Sequence, residues 1–249
     1  MPPTSLVSPR AVFGLIVPAT NTVVEAEFNW LRVPGVSWHS GRIDIKNPSL
    51  KDDETVEQFM RDLRATIGDS VRMVCQCFPT YLVMGMSAET FWGGKDGAAK
   101  FEAFMHELSG LKVSTGARAA QAALDKFGAR RIGVVTPYQP VGDQQVVDFF
   151  TQMGYEVVSV HGLRCDSATS IADVPPDVVK DAFRKVDGPE VEALLQAGTN
   201  LPVASVVAEL EAELKKPVIA INVATVWHAY RTNGIEDKIK GYGRLLEEF

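Results

Sequence analysis

The chain has 249 residues, 46% of them hydrophobic and 22% charged, enough to bury one large core or two modest ones. A formal net charge of -6 with scattered basic residues excludes a nucleic-acid-binding surface, and no apolar run approaches the roughly 18 residues of a membrane helix. Pro2, Pro3 and Pro9 flank Leu6 and Val7 and break any signal-peptide layout, so the expectation is a cytoplasmic protein.

Apolar runs of strand length alternate with helix-period segments, the pattern of parallel sheet with helical crossovers. Residues 12–17 form the first predicted strand, followed by Thr20-Asn21-Thr22 and a helical candidate, and a weaker strand covers 36–40. The clearest helix follows, because Val56, Phe59, Met60, Leu63, Ile67, Val71 and Val74 recur at three- and four-residue steps. Cys75 and Cys77 then fall at the amino end of a strand predicted over 81–86 and read as packing residues. The stretch "MGMSAETFWGG" and a further helix lead to a strand at 111–114, which ends in Ser114-Thr115 before another helix.

Beyond a junction near 127–131 the order of pieces repeats, with strands at 132–135, 156–160, 191–195 and 218–221, each leading toward a helix. The turns correspond as well, "IVPATNTVVEAEF" beside "VVTPYQPVGDQQVVDFF", "LVMGMSAETF" beside "LLQAGTNLP", and "KVSTGARAAQAAL" beside "PVIAINVATVWHAY". The expected fold is α/β, with two pseudo-symmetric domains, each a mainly parallel four-stranded sheet flanked by helices. The first unit covers 1–127 and the second 128–224, with a C-terminal helix at about 225–249 packing back on the first. Ligands bind beyond the carboxyl ends of strands in such sheets, which places the active site in the interdomain cleft.

The polar strand ends are therefore the site candidates: Thr20-Asn21-Thr22, Ser87 to Thr90, Ser114-Thr115, Thr136 to Tyr138, Thr199-Asn200, and Asn222 with Thr225. Each alone reads as a helix N-cap, but six such turns on one edge offer donors and helix dipoles for a carboxylate. Glu89 reads either as a first-turn Glu favoured by the helix dipole or as a proton-transfer group walled by Phe91 and Trp92. Tyr138 sits where a phenol reaches a ligand, and Cys165 follows a strand on the ligand side. No Walker loop or dinucleotide fingerprint is present, and the cysteines and histidines share no metal spacing.

The set "GLIVPATNT", "VMGMS", "VVTPY", the turn after Leu195, "KPVIAINVAT" and "GYGRLL" resembles the aspartate/glutamate racemase superfamily, on its maleate cis-trans isomerase and arylmalonate decarboxylase branch. The resemblance implies a site between two α/β domains, no metal or organic cofactor, a small carboxylate or dicarboxylate ligand, and a homodimer or higher homo-oligomer. It matches Asn21 to a carboxylate-binding Asn, Tyr138 to the family's Tyr after the fifth strand, and Ser87 to a hydroxyl donor. Thr22, Gly85, Met86, Gly198, Thr199 and Asn200 complete the implied binding set. The family's cysteines fall at Gly85 or Met86 and at Ala197 or Gly198, so neither half carries the family thiol.

The expected function is a cofactor-independent isomerase or decarboxylase working through an enolate-like or covalent intermediate, with proton transfer by Tyr138, Glu89 or Cys165. The alternatives are a carboxylate-binding homologue without catalysis and a hydrolase or lyase using an activated water.

Overall fold

The structure, a computed structural model, describes residues 5–249. The first sheet contains β1 (Ala11–Pro18), β2 (Val36–Ile43), β3 (Tyr81–Met84) and β4 (Val113–Ser114), in the order β2-β1-β3-β4. The second contains β5 (Arg131–Thr136), β6 (Glu156–Gly162), β7 (Ala193–Gln196) and β8 (Val218–Ala220), in the order β6-β5-β7-β8. All pairings are parallel, so both sheets share one topology, and within each sheet every strand's carboxyl end points the same way. The eight strands fall within or beside the predicted segments; β1, β3, β5, β7 and β8 are almost wholly buried and read as apolar runs, whereas the edge strands β2 and β6 are partly exposed.

The crossovers are α1 (Val24–Trp30), α2 (Asp53–Val74), α3 (Ala88–Phe91), α4 (Gly94–Ser109), α5 (Gly116–Phe127), α6 (Pro140–Gln152), α7 (Pro176–Val186), α8 (Val207–Leu214) and α9 (Ile221–Thr232), with a short α10 (Arg244–Glu248) at the end. The apolar stripe of α2 sits on the first sheet, and a capping box starts the helix: Thr55 N donates to Asp52 Oδ1 (2.9 Å) and Asp52 N to Thr55 Oγ1 (3.3 Å).

One core runs from the first sheet to the second without interruption. Ala117, Ala119, Ala120 and Ala123 on α5 are buried small side chains that let α9 pack closely, and Tyr230 of α9 reaches Phe13 and Trp38 at ring distances of 6.2 and 5.8 Å. The helix expected over 225–249 is instead two: α9 ends at Thr232, and Gly234, at φ +70°, adopts the left-handed conformation that lets the chain leave helical geometry before α10.

Candidate functional site

Beyond the carboxyl ends of both sheets lies a cavity of about 680 Å³, partly open to solvent. Its polar wall comes from the loops after β1, β3, β5 and β7: Asn21, Ser87, Tyr138, Thr199 and Asn200. None of the lining residues is charged. The lining also includes Leu50, Val56, Phe59, Met60, Met86 and Ile171, an apolar wall contributed largely by α2 and the loop before it.

Hydrogen bonds across the two halves fix the polar wall. Thr199 N donates to Ser87 Oγ (3.2 Å), Thr199 Oγ1 to Gly85 O (3.1 Å), and Ser87 Oγ lies 3.0 Å from Tyr138 Oη. One hydroxyl of the Ser87–Tyr138 pair donates to the other, leaving a single O–H available to the cavity. Asn21 Oδ1 caps α1 by accepting from Val23 N and Val24 N at 3.0 and 2.9 Å, while its amide reaches Thr199 Oγ1 at 3.4 Å. Asn200 Oδ1 accepts from Thr22 N (3.0 Å) and its amide donates to Ala168 O (2.8 Å). Thr22 is exposed and reaches the site through its backbone alone.

Each turn is braced from behind. Arg42 donates to Asn21 O (2.7 Å) and Pro18 O (3.1 Å), and Gln196 Nε2 donates to Gly198 O (2.7 Å). Asp143 accepts from Thr136 Oγ1 and from Arg164 Nη1 (2.6 Å), Arg164 also donates to Tyr138 O, and Tyr138 N donates to Thr136 Oγ1 (3.1 Å).

Burial pushes the Tyr138 phenol well above its usual range, against a smaller opposing pull from Ser87. Burial, with Asp166 adding to it, pushes the Cys165 thiol up to about 11. Both groups therefore hold their protons at neutral pH.

Of the residues expected from the sequence, Thr20, Asn21, Met86, Ser87, Ala88, Pro137, Tyr138, Cys165, Gly198, Thr199 and Asn200 line this cavity. Gly85 does not: its N–H bonds Ile16 O (2.7 Å), and a Cβ there would meet Val24 and Ile16 O at 3.0 and 3.1 Å. Ala197 is fully buried outside the lining, whereas Gly198 lines it with φ +127° and Pro137 2.4 Å from where a Cβ would stand. Glu89 faces away, bonded by Arg64 Nε at 2.7 Å on the far side of α3. Ser114 pairs with His228 (2.7 Å) and Thr115 caps α5, so neither lines the cavity.

Sequence reasoning missed Leu50, Ala168 and Ile171, which lie in segments without periodicity, and it read Val56, Phe59 and Met60 as core. It also missed Glu27, whose buried carboxylate braces the site through Asn222. No three His, Cys, Asp or Glu side chains among the described residues group to hold a metal ion, and no helix of the described residues is long and apolar enough to cross a membrane.

Comparison with known proteins agrees with this architecture. The maleate isomerase of Nocardia farcinica is 25% identical over 245 residues, covering 94% of this chain and 95% of its own. The arylmalonate decarboxylase of Bordetella bronchiseptica is 26% identical over 204 residues, covering 78% and 82%. Among solved structures, a Nocardia farcinica maleate cis-trans isomerase variant with a covalently bound succinylcysteine intermediate superposes with a TM-score of 0.86 at 23% identity, covering 96% of this chain and 98% of that one. An arylmalonate decarboxylase does so at 0.77 and 21%, covering 96% and 100%. The model of the arylmalonate decarboxylase family matches residues 13–246, and the chain accordingly belongs to that family, on the branch of the aspartate/glutamate racemase superfamily that also holds the maleate isomerases.

Proposed function

We propose that this protein is a cofactor-independent enzyme that decarboxylates a small dicarboxylate bearing an apolar substituent, with proton transfer at the carbon next to the retained carboxyl group. The observation that carries this reading is one uncharged cavity lined by a donor wall with hydrogens to spare, the Asn21 and Asn200 amides and the Ser87–Tyr138 hydroxyl pair, and by an apolar wall, Leu50, Val56, Phe59, Met60, Met86 and Ile171. The donor wall suits one carboxylate and the negative charge that develops on it. A second carboxylate against the apolar wall is poorly solvated, which favours its departure as carbon dioxide.

In this scheme the C–C bond to the departing carboxylate breaks and its electron pair remains as an enolate of the retained one. A proton from the Tyr138 hydroxyl, hydrogen-bonded to Ser87, or from the Cys165 thiol then forms the new C–H bond, and water returns the proton. Both groups are protonated at neutral pH, so each has a proton to give. Isomerisation by thiol attack is less well supported, since Gly85, Met86, Ala197 and Gly198 carry no thiol.

Phenylmalonate followed by proton NMR in deuterated water tests the reading, with maleate alongside. The expected result is phenylacetate carrying one solvent deuterium at its α-carbon. Unchanged phenylmalonate with no exchange rejects it. Calorimetric binding of the same compound without turnover instead supports the second reading, a carboxylate-binding homologue, which the missing thiols favour.

A further inference from the structure

Between α2, α4 and the end of α3 lies a second cavity, about 760 Å³ and open to solvent. Lys100, Phe101 and Phe104 reach it from successive turns of α4, Arg64 from α2, and Glu89 and Trp92 from α3 and the residue after it. These six residues are an unusual set for a mere surface hollow. Glu89 is 7% exposed, yet only one of its carboxyl oxygens is used, by Arg64 Nε at 2.7 Å; the other is buried with no hydrogen-bond partner among the described residues. Burying a carboxyl oxygen in this way costs free energy that packing alone does not return.

What the arrangement does achieve is a fixed guanidinium. Glu89 pins Arg64 by its Nε, and the guanidinium carbon stands 5.8 Å from the Trp92 ring centroid. That leaves both Arg64 Nη groups without a hydrogen bond among the described residues, and Lys100 has no ion-pair partner there either. Two cations against one carboxyl make the cavity net positive, while Trp92, Phe101 and Phe104 give it an aromatic wall.

We propose that this cavity is a second small-molecule site, taking a carboxylate with an aromatic or apolar body: the carboxylate bridges Arg64 and Lys100, and the body lies on Trp92, Phe101 and Phe104. Glu89 is a positioning residue there, aiming the guanidinium fork at the ligand. The site is separate from the cavity between the sheets, although Trp92 also packs against Leu50, Val56 and Ala168 of that cavity's wall.

Benzoate titrated into the whole protein, with residue-resolved NMR, tests this. Benzoate is expected to shift the Trp92 indole N–H and the Phe101 and Phe104 rings saturably. The Arg64→Met/Lys100→Met variant is expected to raise the apparent Kd read at Trp92 at least tenfold while shifts at Thr199 and Asn200 persist. Benzamide, the uncharged counterpart, is expected to bind at Trp92 at least tenfold more weakly than benzoate. No shift at Trp92, equal affinities for benzoate and benzamide, or an unchanged Kd in the variant overturns the proposal. Should the variant fail to fold, the comparison of benzoate with benzamide on the wild-type protein decides alone.

Discussion

The Glu27 carboxylate on α1 and the Asn222 amide on α9 meet at 2.7 Å, across 195 residues of sequence. The other Glu27 oxygen accepts from Val203 N (3.0 Å) and Ala204 N (2.9 Å), and Asn222 Nδ2 also donates to Thr199 O (2.9 Å). One buried acid thus ties the first half of the chain to the turn that carries Thr199 and Asn200.

Replacing Glu27 by Ala strands three donors at once, and the expected cost is about 3–5 kcal/mol, read as a drop in the urea midpoint. Its pH dependence has a definite sign. Burial raises the folded-state pKa above the ordinary 4.5, with the Asn222, Ala204 and Val203 hydrogen bonds opposing. Stability linked to the bound proton is complete below the unfolded value and is lost as pH rises through the folded one. Glu27→Gln lacks this dependence, so the stability advantage of wild type over that variant shrinks as pH rises above 4.5. An advantage that grows over that range rejects the assignment.

Tyr138→Phe deletes one partner of Ser87, which keeps Thr199 N as another. The expected stability loss is about 1 kcal/mol, whereas turnover falls by roughly 10²–10⁴ if the phenol delivers the proton. Kinetics on phenylmalonate, with KM and kcat separated, check this; full activity in Tyr138→Phe moves the proton donor to Cys165.

Gly198→Ala places a Cβ 2.4 Å from Pro137 Cδ in a backbone held at φ +127°. The expected cost is about 1–3 kcal/mol, and Gly198→Cys carries the same penalty before any gain in chemistry. Thermal unfolding of both variants measures it, and a melting temperature equal to wild type means that the turn has room to relax.

Burial pushes the Cys165 thiol up to about 11, so its thiolate is scarce at neutral pH and grows about tenfold per unit below that value. Iodoacetamide labelling read by mass spectrometry is expected to leave Cys165 largely unmodified at about pH 7.5 and to accelerate toward about pH 10. Rapid labelling at neutral pH indicates an activated thiol and favours covalent chemistry.

Much of the polar wall was legible in the residues themselves. Asn21, Ser87, Tyr138, Thr199 and Asn200 each follow a strand, and the repeated strand order puts all of them on one edge. Glu89 shared that position in the sequence, but the single turn of α3 turns it toward Arg64 and away from Ser87's side. Leu50 and Ile171 were not legible, because their place on the cavity depends on one loop meeting another: Leu50 N donates to Asp166 O at 2.7 Å, and Ser49 bridges Ser167.

By itself the sequence determined the eight strands, their parallel character in two matching halves and the edge on which polar turns collect, since hydrophobic period and turn chemistry are local properties. The tertiary structure alone decided which polar groups share a cavity, that apolar side chains of α2 line it with them, that Glu27 is buried and tied to Asn222, and that Gly198 is hemmed in by Pro137. Those outcomes rest on side chains far apart in the chain meeting at fixed distances, which the packing of α2 on β1 and β2, of α9 on both sheets and of α1 on α9 sets.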